Sequence, residues 1–215
     1  MEIGFQTCAI CKTKNEIKTV ISTLECEDFD LDSRPRGIAR LAEKNFVSLC
    51  ENCGYANYSL DFDITEGDHK IIESAEYQEI FHNKDLVDDA KKFYLQGMIL
   101  EDMENYLKAS YAYLRSAWFF NDNQNREWMI KSRKKAIDCL LNNESTFKSA
   151  QTYLILVDCY RRIGDFESSL KALNQFDFNA ITDEYSKKLY LFEKELSEKE
   201  DSCAHCSREV NERSL

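Results

Sequence analysis

Two Cys-x-x-Cys pairs constrain this chain more than anything else in it: Cys8-Ala9-Ile10-Cys11 and Cys50-Glu51-Asn52-Cys53, the second followed by Gly54. Two residues between cysteines let both sulfurs face one point while the intervening backbone N–H groups turn toward the thiolates. Two such knuckles close a tetrahedral four-sulfur site, the usual form of structural zinc. Gly54 suits the tight turn because glycine accepts positive φ. The 38 residues between Cys11 and Cys50 are long for a ribbon but hold a strand pair and a loop. The reading is one structural Zn2+ on Cys8, Cys11, Cys50 and Cys53. Rubredoxin-type iron uses the same four sulfurs and ranks second.

The chain carries nine cysteines in 215 residues. Its start, MEIGFQTCAICKTK, lacks a basic stretch followed by an apolar one, so a secretory leader is not expected. Together with the Cys-x-x-Cys spacing, this favours reduced thiolates in a cytoplasm over a disulfide scaffold. An odd count also leaves one cysteine unpaired in any disulfide scheme. Hydrophobic residues make up 43%, enough for a core, and no apolar run approaches the roughly 20 residues of a membrane span. The net charge of -11 weighs against nucleic acid and against an anionic membrane surface.

Residues 1–64 read as a loop-rich module with short strand-like runs at 17–24, 46–49 and 58–64, where β-branched and aromatic residues come near alternation. The one proline, Pro35, lies in a loop, and Thr65-Glu66-Gly67-Asp68 reads as a turn and a boundary. From residue 69 apolar residues recur at three and four spacing. This predicts helices at 69–81, 85–103, 105–121, 125–142, 146–163, 166–175 and 183–200, separated by Asn, Asp, Ser and Thr clusters that cap them. The expected fold class is α+β: a small zinc-ribbon-like β module (1–64), an all-α tetratricopeptide-like domain (65–200) and a flexible tail (201–215).

Ala150 to Phe176 resembles a tetratricopeptide repeat, whose pattern is a helix, a Gly-Asp/Asn-aromatic turn and a second helix. Tyr153, Leu156 and Tyr160 fall at its large positions and Gly164-Asp165-Phe166 at its turn. Val157 and Ser169 depart from the small residue and alanine usual there. A weaker copy reads from Tyr111, with its turn broken by the Asn/Asp-rich stretch after Phe120. Such pairs stack because none buries its face alone. In that register Arg115, Arg161 and Arg162 fall on or near a concave groove open to a protein or peptide partner, where each could bind a carboxylate or phosphate bidentately. The competing reading makes them solvated helix-end charges. Trp118, Phe119, Cys139 and Cys159 read as core.

Cys203-Ala204-His205-Cys206 forms a third pair in the tail. Alone it cannot close a four-ligand site; a second metal or thiol exchange are its functional readings. Cys26 reads as a free thiol. Arg34, Arg36 and Arg40 make the one cationic cluster of the N-terminal module. The histidines at 69 and 82 read as surface helix residues.

In order along the chain, these features resemble the bacterial family called domain of unknown function 2225. The resemblance rests on Cys8–Cys11, Asp28-Phe29-Asp30, the Cys50-Glu51-Asn52-Cys53-Gly54-Tyr55-Ala56 knuckle, Ala117-Trp118 and Tyr160-Arg161-Arg162-Ile163-Gly164-Asp165. It covers roughly residues 5 to 195. The chain departs from the pattern in lacking proline inside either knuckle and in carrying the third Cys-x-x-Cys. The resemblance implies a zinc ribbon joined to helical repeats and brings no established activity. No GxGxxG, phosphate loop, GxSxG or HExxH is present. The expected role is therefore a non-enzymatic, zinc-binding scaffold for protein partners, of open oligomeric state. The alternatives are a thiol-redox or metal-sensing protein and a nucleic-acid-binding zinc ribbon.

Overall fold

The computed structural model describes residues 2–19, 26, 28–62 and 69–213. The chain divides into two compact units, Met1–Leu24 with Leu41–Cys139, and Glu25–Arg40 with Leu140–Leu215. The four knuckle cysteines and the helices that follow them thus share one unit, and no division falls at residue 64.

In the first unit β1 (Glu2–Thr7) pairs antiparallel with β2 (Lys14–Thr19), Thr7 opposite Lys14. β3 (Ser48–Leu49) pairs with β4 (Ala56–Asn57) in the same sense. Each knuckle is therefore the tip of a hairpin. The expected strand at 17–24 begins three residues earlier, and positions 20–24 lie outside the described residues. β1 was not expected, although Ile3 and Phe5 alternate as a strand requires. The strand expected at 58–64 is displaced to β4. Residues 58–62 turn back instead, and the Tyr55 hydroxyl donates to the carbonyl of Phe62 at 2.8 Å. Positions 63 and 64 lie outside the described residues.

A short helix, α1 (Ile38–Ala42), precedes β3. The helix expected at 69–81 is two, α2 (His69–Glu73) and α3 (Ala75–His82), because Ser74 adopts extended backbone and its hydroxyl caps α3 at Tyr77 N. Then follow α4 (Asp88–Asp102), α5 (Tyr106–Asp122) and α6 (Arg126–Asn142). α4 and α5 lie closely along each other at Gly97. A Cβ there would stand 2.7 Å from the ring of Tyr113. Phe93 and Phe119 stack at 5.5 Å in the same core, and Trp118 and Phe119 are buried as expected.

The second unit holds α7 (Ala150–Ile163), α8 (Phe166–Gln175), α9 (Glu184–Glu198) and α10 (Ser207–Asn211). Gly164 leaves α7 at φ 84, Asp165 N returns to Tyr160 O at 3.0 Å, and the Asp165 carboxylate caps α8. This is the six-to-one closure that ends a helix through a left-handed residue. The same closure joins α4 to α5, with Glu104 at φ 56 and Asn105 N on Leu100 O at 2.8 Å. It joins α5 to α6 as well, with Gln124 at φ 58 and Asn125 N on Phe120 O at 2.9 Å.

One correction follows for the helical hairpins. The turn after Phe120 is closed, not broken. In the register where Tyr113, Ala117 and Phe120 match Tyr153, Val157 and Tyr160, Gln124 matches Gly164, and the α4–α5 pair aligns with residues 150–176 as well. Glu104-Asn105-Tyr106 matches Gly164-Asp165-Phe166, Gly97 matches Val157, and Ala109 matches Ser169. Ser169 is tolerated in its buried place because its hydroxyl reaches Val157 O and Ser197 Oγ at 3.3 and 2.8 Å.

The tail expected to be flexible is ordered through residue 213. Phe29 O accepts from Ser207 N at 2.7 Å, and Leu31 N donates to His205 O at 3.1 Å. Val210 is fully buried. No helix among the described residues is long and apolar enough to cross a membrane.

Candidate metal centre

The two hairpin tips carry one backbone pattern. In the first, Cys8 N donates to Thr13 O and Lys12 N to Cys8 O, both at 2.9 Å. In the second, Cys50 N donates to Tyr55 O at 2.8 Å and Gly54 N to Cys50 O at 2.9 Å. The residue after each second cysteine is left-handed, Lys12 at φ 61 and Gly54 at φ 81. Gly54 is required for a further reason. A Cβ there would stand 2.7 Å from the Phe81 ring of α3, whereas the matching place in the first knuckle is held by a residue with a side chain, Lys12. α3 also grips the second knuckle from behind: the Tyr77 hydroxyl donates to Gly54 O at 2.7 Å and Gln78 Nε2 to Cys53 O at 3.3 Å.

These turns bring Cys8, Cys11, Cys50 and Cys53 together, with all four sulfurs within 4.8 Å of one another. Cys8 and Cys53 lie 3.7 Å apart and Cys11 and Cys50 3.5 Å apart, and none is bonded to another. A tetrahedron with metal–sulfur arms of ~2.3 Å has edges of ~3.8 Å, so these separations suit one bound ion. Cys8 and Cys50 are buried. Burial pushes the thiols of Cys8 and Cys53 up. Burial opposes ionisation at Cys11 as well, but hydrogen bonds with Thr13 and Asn52 prevail and bring it down to about 6. Four thiolates in one partly buried place would require a cation, which a divalent ion with affinity for soft ligands could supply. The distances suit zinc and iron alike.

Asn15, on β2, escaped the sequence reading. It is buried; its Nδ2 donates to Thr13 O at 2.9 Å and to Cys50 Sγ at 3.6 Å, and its Oδ1 accepts from Glu51 N at 3.1 Å. Nothing in its spacing marks it, since a polar residue in a strand ordinarily faces water.

Of the arginines expected to line a groove, two are buried on α7. Arg161 is fully buried, so its groove role is corrected to an internal one. Its Nε meets Glu193 at 2.7 Å, its Nη2 meets Asp158 at 2.5 Å, and its Nη1 donates to the carbonyls of Asp201 and Cys203, each at 2.8 Å. Arg162 is buried on the same helix, and Arg115 is half-buried on α5 in the other unit.

Cys203 is exposed and Cys206 buried, and among the described residues the knuckle cysteines form the one cluster fit for a metal. A hydrogen bond with Asp201 pushes the Cys203 thiol up, which disfavours a reactive thiolate. Cys206 instead caps α10, with its N–H on Glu209 at 2.9 Å. The cationic cluster of the N-terminal segment is matched by acids: Arg36 lies 3.6 Å from Asp30 and 3.9 Å from Asp28, and Arg40 pairs with Asp30. Cys139 and Cys159 are core, as expected.

Fold and site together define a protein in which two hairpin-tip cysteine pairs form a potential metal site beside helical hairpins. The model of a family described as an uncharacterised protein conserved in bacteria (DUF2225) matches residues 6–199, and the chain belongs to that family. No curated protein and no solved structure matches it.

Proposed function

We propose that this chain is a zinc-holding scaffold whose tetratricopeptide-like hairpins bind a segment of another protein in the bacterial cytoplasm. The observation that carries the metal part is the four-sulfur cluster. All four corners come from the chain, so no position is left for a substrate or water, as in structural rather than catalytic zinc. The binding part is supported by the helical hairpins with repeated closures at Glu104, Gln124 and Gly164, since stacks of such hairpins present extended surfaces. Arg161 takes no part in that surface.

Elemental mass spectrometry of native protein tests the first part. About one zinc per chain, lost in Cys50→Ser, is expected. Iron, or no metal, overturns it. Cross-linking in the source bacterium at native expression tests the second. Links from exposed α5 or α8 residues to one protein partner are expected, and links confined to the chain itself overturn it.

A further inference from the structure

The two knuckles come from hairpins that are distant in sequence, and among the described residues Asn15 is a side chain that ties them together at the sulfurs. Its amide has three polar groups to place, and all are spoken for inside the site. One N–H side holds Thr13 O, at the foot of the first knuckle. The same nitrogen reaches Cys50 Sγ in the second. The oxygen takes the N–H of Glu51, the residue that follows that cysteine. A buried amide satisfied in this way resists rotation, because any turn strands at least one polar group.

We propose that Asn15 is a positioning residue of the metal centre: it fixes the second knuckle on the first and spreads the negative charge of the Cys50 thiolate into an N–H···S hydrogen bond. The proposal rests on the reading of the cluster as a metal site. Donation to the sulfur lowers its affinity for protons and electrophiles, so the metal–sulfur bond is opened less readily. Asn15 also lines a cleft of about 640 Å³ that carries Lys14, Lys18, Lys44 and Lys92 together with Glu16, Glu51 and Asp89. Asn15 thus lies both on that cleft and against Cys50 Sγ.

The chemistry separates two variants. Asn15→Ala removes donor and acceptor together. Asn15→Asp keeps shape and the acceptor for Glu51 N but sets an anionic oxygen against the sulfur. Groups that orient metal ligands are worth about 10–100-fold in metal affinity. With zinc-loaded protein and an excess of chelator, Asn15→Ala should release zinc about 10-fold faster than wild type and Asn15→Asp faster still, helical circular dichroism being unchanged. Release from both variants at the wild-type rate overturns the proposal. If the wild type itself holds no metal, it is the metal reading that falls, before Asn15 is in question.

Should either variant fail to fold, the wild type carries the test alone. After cadmium-113 is exchanged into the site, nuclear magnetic resonance should show a scalar coupling between the metal and the Asn15 side-chain N–H. That coupling can pass only through the N–H···S bond. A well-resolved amide without it overturns the proposal.

Discussion

The twin knuckles allow one contact to be weighed against a built-in control. Gly54→Ala incurs two penalties. A non-glycine residue in left-handed backbone costs roughly 1–2 kcal/mol, and a Cβ placed 2.7 Å from the Phe81 ring adds an overpacking cost. Such overpacking costs typically about 1–3 kcal/mol, while the stiffer unfolded chain returns roughly 0.4–1 kcal/mol. The expected net loss is about 2–4 kcal/mol. Lys12 holds the same left-handed place in the first knuckle at φ 61 and shows that the backbone term alone is tolerated. Lys12→Gly should therefore shift stability by no more than about 1 kcal/mol, strain relief and chain entropy nearly offsetting.

The cycle is closed with Phe81→Ala. In that background Gly54→Ala should lose its steric part and retain about 1 kcal/mol, giving a coupling of roughly 1–3 kcal/mol. Urea denaturation at fixed zinc, followed through Trp118 and Trp128, reads the unit that contains the knuckles. A loss under about 1 kcal/mol for Gly54→Ala, or no coupling to Phe81, would refute the argument that α3 closes against this turn.

Two further outcomes are expected. Arg161→Met leaves Asp158 and Glu193 buried without their cation, a break that costs about 3–5 kcal/mol; thermal unfolding should register it, and limited proteolysis should find residues 201–206 newly cleavable. The docking of α10 should depend on pH from the acid side. Burial alone would raise the Asp28 carboxyl, but the Ser207 hydroxyl and the Arg208 N–H hold it below the carboxylate range. Burial likewise opposes ionisation of Glu209, and His205 and the Cys206 N–H outweigh it. A lowered folded-state pKa gives stability that is present above the ordinary carboxylate value, about pH 4, and lost as pH falls through the folded value. The protection of the Val210 amide, its exchange divided by the intrinsic rate, should be unchanged from neutral pH to about 5 and fall below about 4; loss of protection on raising the pH through neutrality would contradict this.

The residues differ in how openly they declare themselves. The knuckles were legible because the chemistry dictates residue type and spacing together. Helix periodicity was legible for α9, which buries one face, and helix length for α5 and α7, which are buried around most of their girth. The break between α4 and α5 was legible at residue 104 but its closure was not, because Glu104 takes a conformation normally signalled by glycine. Ser74 broke a helix that periodicity ran straight through, since its hydroxyl made a better cap than interior. Arg161 misled most plainly. A charged residue at a helix end reads as solvated until its partners are known, and Glu193 lies 32 positions away in sequence. Asn15 was hidden for the same reason, its function lying in contacts with Cys50 and Glu51 across a long loop.

The clamp on the segment after α9 is made of main chain. Arg161 holds the carbonyls of Asp201 and Cys203, atoms that every amino acid carries. Such an anchor is blind to spelling. Arg161 and Glu193 fall within the span that defines the family, while the carbonyls they secure fall beyond it. One receptor arginine could thus moor extensions of quite different composition, and evolution would be free to rewrite the moored segment, cysteines included, without loosening the knot.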